Sequence, residues 1–363
     1  MEVLGPIVLR VSLDVAFVLA AMSAIVLAVI IGVRLSAQNE NRRRAHFRRD
    51  AEPLVTSYLA GRTETREVVT VLHRDPAHGL DLLMEISDRL APAERAPLAP
   101  LFASLPLRAK ETAALQSRRW ERRMQAAERL GYLGDKGSVS ALVEALRDPI
   151  IAVRLSAAHA LAALGATQHI RDIVLTFDLP GEMNQRRVAE ALRDFGPAGT
   201  PQLLEILADR RGAYSDNAVG MVVRVLGMLR APEAVEPLVP LLEHPEFRVR
   251  LNAVRSLGLI GDHGTADKVA RLANDPAWEV RNVVVQSLGR MRSERHATIL
   301  ADALRDSSWW VRFSAAQALW NLGDKGRRAL TEAMTGSPDR YARDMSRQIL
   351  EENGALPPRE AHA

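Results

Sequence analysis

Apolar residues recur through most of the chain in a pattern that realigns with itself nearly every thirty-one residues. The segment VRNVVVQSLG at 280–289 matches 249 (VRLNAVRSLG), 311 (VRFSAAQALW), 153 (VRLSAAHALA), 184 (NQRRVAEALR), 122 (RRMQAAERLG) and 342 (ARDMSRQILE); a three-residue insertion brings in 218 (AVGMVVRVLG). In these eight segments the ninth position is always Leu: Leu130, Leu161, Leu192, Leu226, Leu257, Leu288, Leu319 and Leu350. Positions five and six are mostly Ala or Val, as in Ala157 and Ala158, and position twelve is usually large and apolar, as in Leu133, Phe195 and Ile260. That spacing is one stripe of an α-helix. Small residues inside the stripe let helices approach closely, and Gly at 134, 165, 196, 261, 323 and 354 predicts where each helix ends.

A shorter apolar periodicity precedes each of these helices, as in SALVEALRDP ending at Pro149, EPLVPLLEHP at Pro245 and DKVARLANDP at Pro276. The unit is therefore helix, tight turn, helix. A period of this length predicts a solenoid, in which each unit buries its apolar face only against its neighbours. An Asp followed six residues later by Arg recurs as Asp148 and Arg154, Asp275 and Arg281, Asp306 and Arg312. The Arg column, with Arg250 and Arg343, is expected to be structural and paired with turn Asp residues.

These residues carry a resemblance over about 119 to 354: the chain resembles the HEAT-repeat family in its short, bacterial, PBS-lyase-like form. The resemblance implies an all-α, right-handed α-solenoid whose second helices line the concave side. It says little of function, because the family includes scaffolds, a DNA glycosylase, bilin lyases and a di-iron hydroxylase.

Val15 to Val33 is a run of nineteen uncharged residues, enough to cross a bilayer core of roughly 30 Å. Six Arg between 34 and 49 follow it, whereas Arg10 before it is offset by Glu2 and Asp14. The positive-inside rule then places the N-terminus outside and the body in the cytoplasm, anchored in the inner (plasma) membrane. A cleaved signal peptide would need a basic start, a shorter apolar core and a small residue where Leu35 stands. Ala16, Ala20, Ala24, Ala28 and Gly32 form a small-residue stripe on which a second membrane helix, including one from another copy, can pack, although Ala-rich chains also produce such stripes by chance. The expected organisation is an N-terminal segment 1–34, a basic linker 35–50 suited to anionic headgroups, a degenerate helical cap 51–118, the repeats 119–354 and a disordered tail 355–363.

The formal charge of +4 and pI near 9.7 suggest nucleic acid until the charge is located. Arg42, Arg43, Arg44, Arg48 and Arg49 against Glu40 and Asp50 account for +3, which leaves the repeats nearly neutral and a phosphate-binding groove without support. The chain has no Cys, so disulfides, thiolate metal sites and Cys nucleophiles are excluded. No His-Glu dipeptide, HExxH, GxSxG, Walker loop or GxGxxG occurs, so no metal, cofactor or catalytic constellation is expected.

Binding residues are sought instead among the positions that point away from the Leu stripe. The seventh position is polar in every unit, with Glu128, His159, Glu190, Arg224, Arg255, Gln286, Gln317 and Gln348; His159 can face Glu190 one repeat on, the alternative being a lone solvated His rather than a ligand. The fourth position adds Gln125, Ser156, Arg187, Asn252 and Ser314. Phe247, Trp278 and Trp309 share one place in three successive units, either as a binding rim or as staples of the helix starts. The insertion 209–217 presents Arg210, Arg211 and Tyr214. The leading expectation is a membrane-anchored scaffold that binds a protein partner. The alternative is a lyase-like enzyme, or a subunit of one, acting on a bound cofactor or macromolecule.

Overall fold

The computed structural model describes residues 4–91, 94–178, 182–209 and 214–356, with side chains described outside 4–21 and 182–185. The expected disordered tail lies almost wholly outside the described residues. All regular elements among the described residues are helical, and the chain divides into two compact units, 1–109 and 110–363.

The first unit holds α1 (Leu4–Leu59), α2 (Thr65–Leu72), α3 (Pro76–Arg89) and α4 (Ala99–Ser104). At a rise of ~1.5 Å per residue α1 is about 84 Å long. The basic stretch 35–50 lies within it, so the apolar run continues as one helix into the folded part of the unit. One helix of this chain is thus long and apolar enough to cross a membrane. Towards its end, Ala51 and Val55 are buried, and α1 packs on α2 and α3 with Val68, Leu72, Leu80 and Leu83 in the core. Polar contacts fix the register. Arg48 donates to Glu52 at 2.7 Å and to Glu85 at 2.9 Å, and His78 sits between Asp75 at 2.8 Å and Glu40 at 3.1 Å. Asp75 also caps α3 by accepting from the His78 backbone N–H.

In the second unit first helices alternate with second helices, the first being the shorter in every pair but the last, where both have 13 residues. The pairs are α5 (Arg108–Ala114), which spans the division, with α6 (Trp120–Leu133); α7 (Val139–Ala145) with α8 (Ile151–Ala163); and α9 (Ile170–Thr176) with α10 (Glu182–Arg193). Next come α11 (Thr200–Ala208) with α12 (Asp216–Leu229), α13 (Val235–Leu238) with α14 (Phe247–Ile260), and α15 (Ala266–Ala270) with α16 (Trp278–Arg290). The series ends with α17 (Ala297–Ala303) and α18 (Trp309–Asn321), then α19 (Asp324–Gly336) and α20 (Arg340–Glu352). Each second helix packs on the next, from α6 through α20.

The ninth-position Leu residues are buried in all eight second helices, as are the small residues at positions five and six where their side chains are described. Backbones come close where Gly meets Ser. Gly227 faces Ser256 and Gly258 faces Ser287, and the two hydroxyls donate across the repeat boundary to the Val223 and Val254 carbonyls at 2.8 and 3.1 Å. Both donors are buried, so the bonds replace hydration that the helices exclude. The six Gly expected to end helices all have positive φ. Arg230 (φ 52) and Arg292 (φ 47) hold the equivalent place in the two remaining repeats. No sequence signal marked them, because packing imposes on a non-Gly residue a conformation that costs an L side chain about 1 kcal/mol.

A Cβ at Gly258 would lie 2.6 Å from Ser287 Cβ and 3.0 Å from its Cα, and a backbone atom cannot move aside alone. Gly258→Ala is expected to destabilise the repeats by about 1–3 kcal/mol, read as a lowered urea midpoint by circular dichroism; an unchanged midpoint would show that α14 and α16 can separate without cost.

Candidate partner-binding surface

What remains for a partner is decided by what the stacking consumes. At the turn edge each Arg of the column uses one guanidinium nitrogen for its own turn: Arg250 donates to the His244 and Pro245 carbonyls, and Arg281 to those of Asp275 and Pro276. In three of them the opposite edge also grips the next repeat's Asp with two bonds. Arg123 holds Asp148 at 2.6 and 3.0 Å, Arg250 holds Asp275 at 2.7 and 2.9 Å, and Arg281 holds Asp306 at 2.7 and 2.8 Å. The Arg six residues after each Asp therefore takes its backbone carbonyl, while the carboxylate belongs to an Arg twenty-five residues upstream. Arg123 is a member that the six-residue spacing could not reveal.

One oxygen of each Asp also accepts the backbone N–H two residues on, at Ile150, Ala277 and Ser308, setting up the start of the second helix. Burial alone would raise the Asp148, Asp275 and Asp306 carboxyls, but the guanidinium and backbone bonds outweigh it and hold all three below the ordinary carboxylate value.

The face left over is narrow. On α16, besides Trp278 and the ladder's Arg281, the half-buried or exposed positions are Glu279, Asn282, Gln286 and Arg290, and on α14 they include Arg248, Asn252, Arg255 and Leu259. The same stripe carries Gln125 and Glu128 on α6, Ser156 and His159 on α8, Arg187 and Glu190 on α10, Arg224 on α12, Ser314 and Gln317 on α18, and Gln348 on α20. The seventh positions thus lie at least partly open, as do the fourth positions of α6, α8, α10, α14 and α18, whereas Met221, Val283 and Met345 at the fourth position of α12, α16 and α20 are buried; the charge changes along the row. His159 does not meet Glu190; its Nδ1 is 2.9 Å from Asp194. Glu190 lies one turn short of that carboxylate. Gln286 donates to the Ser314 hydroxyl at 3.1 Å, and these two with Gly289, Arg290, Gln317, Ala318 and Asn321 line a groove of about 290 Å³ between α16 and α18.

Trp278 and Trp309 are both solvent-exposed, and Trp309 stacks on Phe313 of its own helix at 5.1 Å. Trp120, at the equivalent place in the first repeat, is an exposed aromatic that the comparison of three units passed over. The most exposed aromatics, Trp310 at 57% and Tyr341 at 61%, lie one residue further on, at the head of the polar stripe rather than beside it. Their column is otherwise Glu, Ala, Met, Asn and Arg, so periodicity gave no signal there.

Arg210 and Arg211 lie outside the described residues. Tyr214 is half-buried, with the Arg171 guanidinium 5.6 Å from its ring; burial pushes its hydroxyl up against the pull of that charge. Beside it Ser215 donates to Asp178 of the preceding repeat and caps α12. Along α1, Ala24, Ala28 and Gly32 are exposed, while Ala16 and Ala20 are helical with side chains outside the described residues. Among the described residues no group of three or more His, Asp or Glu could hold a metal ion.

The HEAT-repeat family model matches residues 111–176, 200–289 and 265–351, more than half of the chain. The chain belongs to the HEAT-repeat family. No curated protein matches it. Solved structures similar to it include YibA of E. coli, at 18% identity over 70% of this chain and 95% of that one, with a TM-score of 0.42. The complex of CpcE and CpcF of phycocyanin lyase from Nostoc sp. is 21% identical over 68% and 94%, with a TM-score of 0.32. Human deoxyhypusine hydroxylase in complex with glycerol is 21% identical over 76% and 97%, with a TM-score of 0.28. At these values the structural likeness says nothing of activity.

Because the folded carboxyl values of Asp148, Asp275 and Asp306 are lowered, their contribution is complete above the unfolded value of about 4 and is lost as pH falls through the folded value. Asp275→Asn is expected to cost about 2–3 kcal/mol at neutral pH and to flatten the acid side of the stability profile, measured by urea unfolding between pH 7 and pH 3. Equal acid sensitivity in variant and parent would mean that the ladder does not govern it.

Proposed function

We propose that this protein is a membrane-anchored, non-catalytic scaffold whose row of second-helix stripes holds a protein partner, itself an integral membrane protein such as a membrane enzyme. The observation that carries the reading is the narrow polar stripe left open on successive second helices while the rest of each helix is consumed by stacking. Such a stacked array offers a long surface with many separately tunable positions, which suits protein binding better than it suits a convergent catalytic pocket.

The apolar part of α1 supports anchoring, and the six Arg that follow it favour the body on the cytoplasmic side with the N-terminus outside. Arg42, Arg43 and Arg44 are exposed on the same helix and suit anionic lipid. The small-residue stripe from Ala16 to Gly32 would be the place where a second membrane helix, from the partner or from another copy, packs. His159, Glu190, Arg224, Arg255, Gln286 and Gln317 would contact the partner, with Trp278, Trp309 and the insertion around Arg210, Arg211 and Tyr214 at the margins.

The binding test is co-purification of the full-length protein from its own membrane in mild detergent, beside the triple variant Arg224→Glu, Arg255→Glu, Gln286→Glu and the double variant Trp278→Ala, Trp309→Ala. A stoichiometric partner lost from a folded variant is the expected result; the same set of proteins with all three samples would remove the stripe as a binding face.

Topology is read separately. The chain has no Cys, so Lys325→Cys provides a single label at an exposed site. It should react with a membrane-impermeant maleimide only after the cells are opened, and labelling of intact cells would reverse the orientation.

A further inference from the structure

The composition of the stripe changes sharply at its C-terminal end. Gln286, Gln317 and Gln348 occupy the same position on α16, α18 and α20, and Ser314 and Asn321 lie on the same face. An amide both donates and accepts, whereas a carboxylate only accepts and a guanidinium only donates. The main chain of a peptide likewise presents one donor and one acceptor per residue. A row of amides therefore complements peptide backbone rather than any one kind of side chain.

The spacing fits the same occupant. Packed helix axes are about 8–10 Å apart, and α16 and α18 meet closely, with Gly289 against Ala318. Extended chain advances ~3.3 Å per residue, so a strand laid across these helices meets a new Gln at about every third residue. The groove lined by Gln286, Ser314, Gln317 and Asn321 is where such a strand would enter between two helices.

The two ends of this section differ. At one end Arg290 is exposed on the α16 stripe, and Arg255 lies at the seventh position of the preceding helix, which favours a carboxylate on the ligand. Towards the other end Trp310 and Tyr341 stand open at the head of the α18 and α20 stripes and offer rings for an apolar or proline side chain.

From this complementarity we infer that α16, α18 and α20 bind an extended peptide segment of the partner by its main chain. That segment carries an acidic residue towards α14 and an apolar residue towards α20. The inference rests on the scaffold reading above and narrows it, because a helical or fully folded partner surface would satisfy that reading without this one.

The test uses full-length protein in detergent and, as probe, an array of random-sequence peptides about 12 residues long, enough extended chain to cross three helices. Bound peptides are expected to carry Asp or Glu at one end and an aromatic or proline at the other. In the tightest binder, backbone N-methylation at every third residue should weaken binding about ten-fold at each such position and little elsewhere. Gln317→Ala should weaken binding several-fold and erase the N-methyl effect at one position only, and Arg290→Glu should reverse the acidic preference.

Selection of helical peptides, an N-methyl scan without a three-residue period, or an array with no binder would each overturn the inference. So would concentration-dependent self-association in sedimentation that the Gln317 variant abolishes, since the occupant would then be a second copy. If the array fails while the triple variant still loses the co-purified partner, the partner docks through a folded surface and the scaffold reading survives; if both fail, the stripe is not a binding face.

Discussion

The repeat array depends on a guanidinium that belongs to two turns at once. Arg250 satisfies the carbonyls of its own turn with one nitrogen and clasps the Asp275 carboxylate of the next turn with its other edge. Asp275 in turn presents an oxygen to the Ala277 N–H, which opens α16. A single planar group thus couples where one second helix begins to where the next begins. The geometry needs Arg: the ammonium of Lys cannot span two turns with parallel bonds. Since the start of a helix fixes which residues lie on each of its faces, this ladder also fixes the register of the exposed stripes.

That constraint separates what was legible in the sequence from what was not. The thirty-one-residue period, the Leu column and the six Gly helix ends are local or periodic signals, and the structure carries them as read. The partner of each Asp was not legible, because two successive members of one Arg column stand at fixed distances from it and only stacking decides that the upstream one takes the carboxylate. For His159 the error came from assuming that helices pack at equal register; a shift of about one turn brings Asp194 within reach and leaves Glu190 aside. Tyr341 was overlooked, and Trp310 noticed only as a neighbour of Trp309, for the opposite reason: their column has no consistent chemistry to align.

The N-terminal helix makes a related point about charge and conformation. The change from apolar to Arg-rich sequence after Val33 reads as a boundary, and for solvent it is one. For the backbone it is not, since Arg, Ala, Gln and Glu between 34 and 52 are all good helix formers and no Gly or Pro interrupts them. The helix consequently runs on until its own packing face, with Ala51 and Val55, meets α2 and α3. The apolar segment and a structural element of the first unit are then parts of one continuous helix.

The sequence of charges along the stripe bears on how such a surface would discriminate. Its early helices carry Glu121, Glu128, Glu190 and Asp194 beside Arg187, its middle Arg224, Arg248 and Arg255, and its end the amides beside Arg290. Charges at the open parts of a surface act over about a Debye length of 8–10 Å at ordinary ionic strength, comparable to the distance between neighbouring helices. Each section is therefore felt separately, and a ligand whose charge pattern is reversed meets repulsion at both ends instead of a small net attraction. The amides add no such field. What they contribute is direction, since hydrogen bonds to main chain are satisfied only over a narrow range of distance and angle. Charge would select which way round a segment lies, and the amide row would hold it only in an extended form.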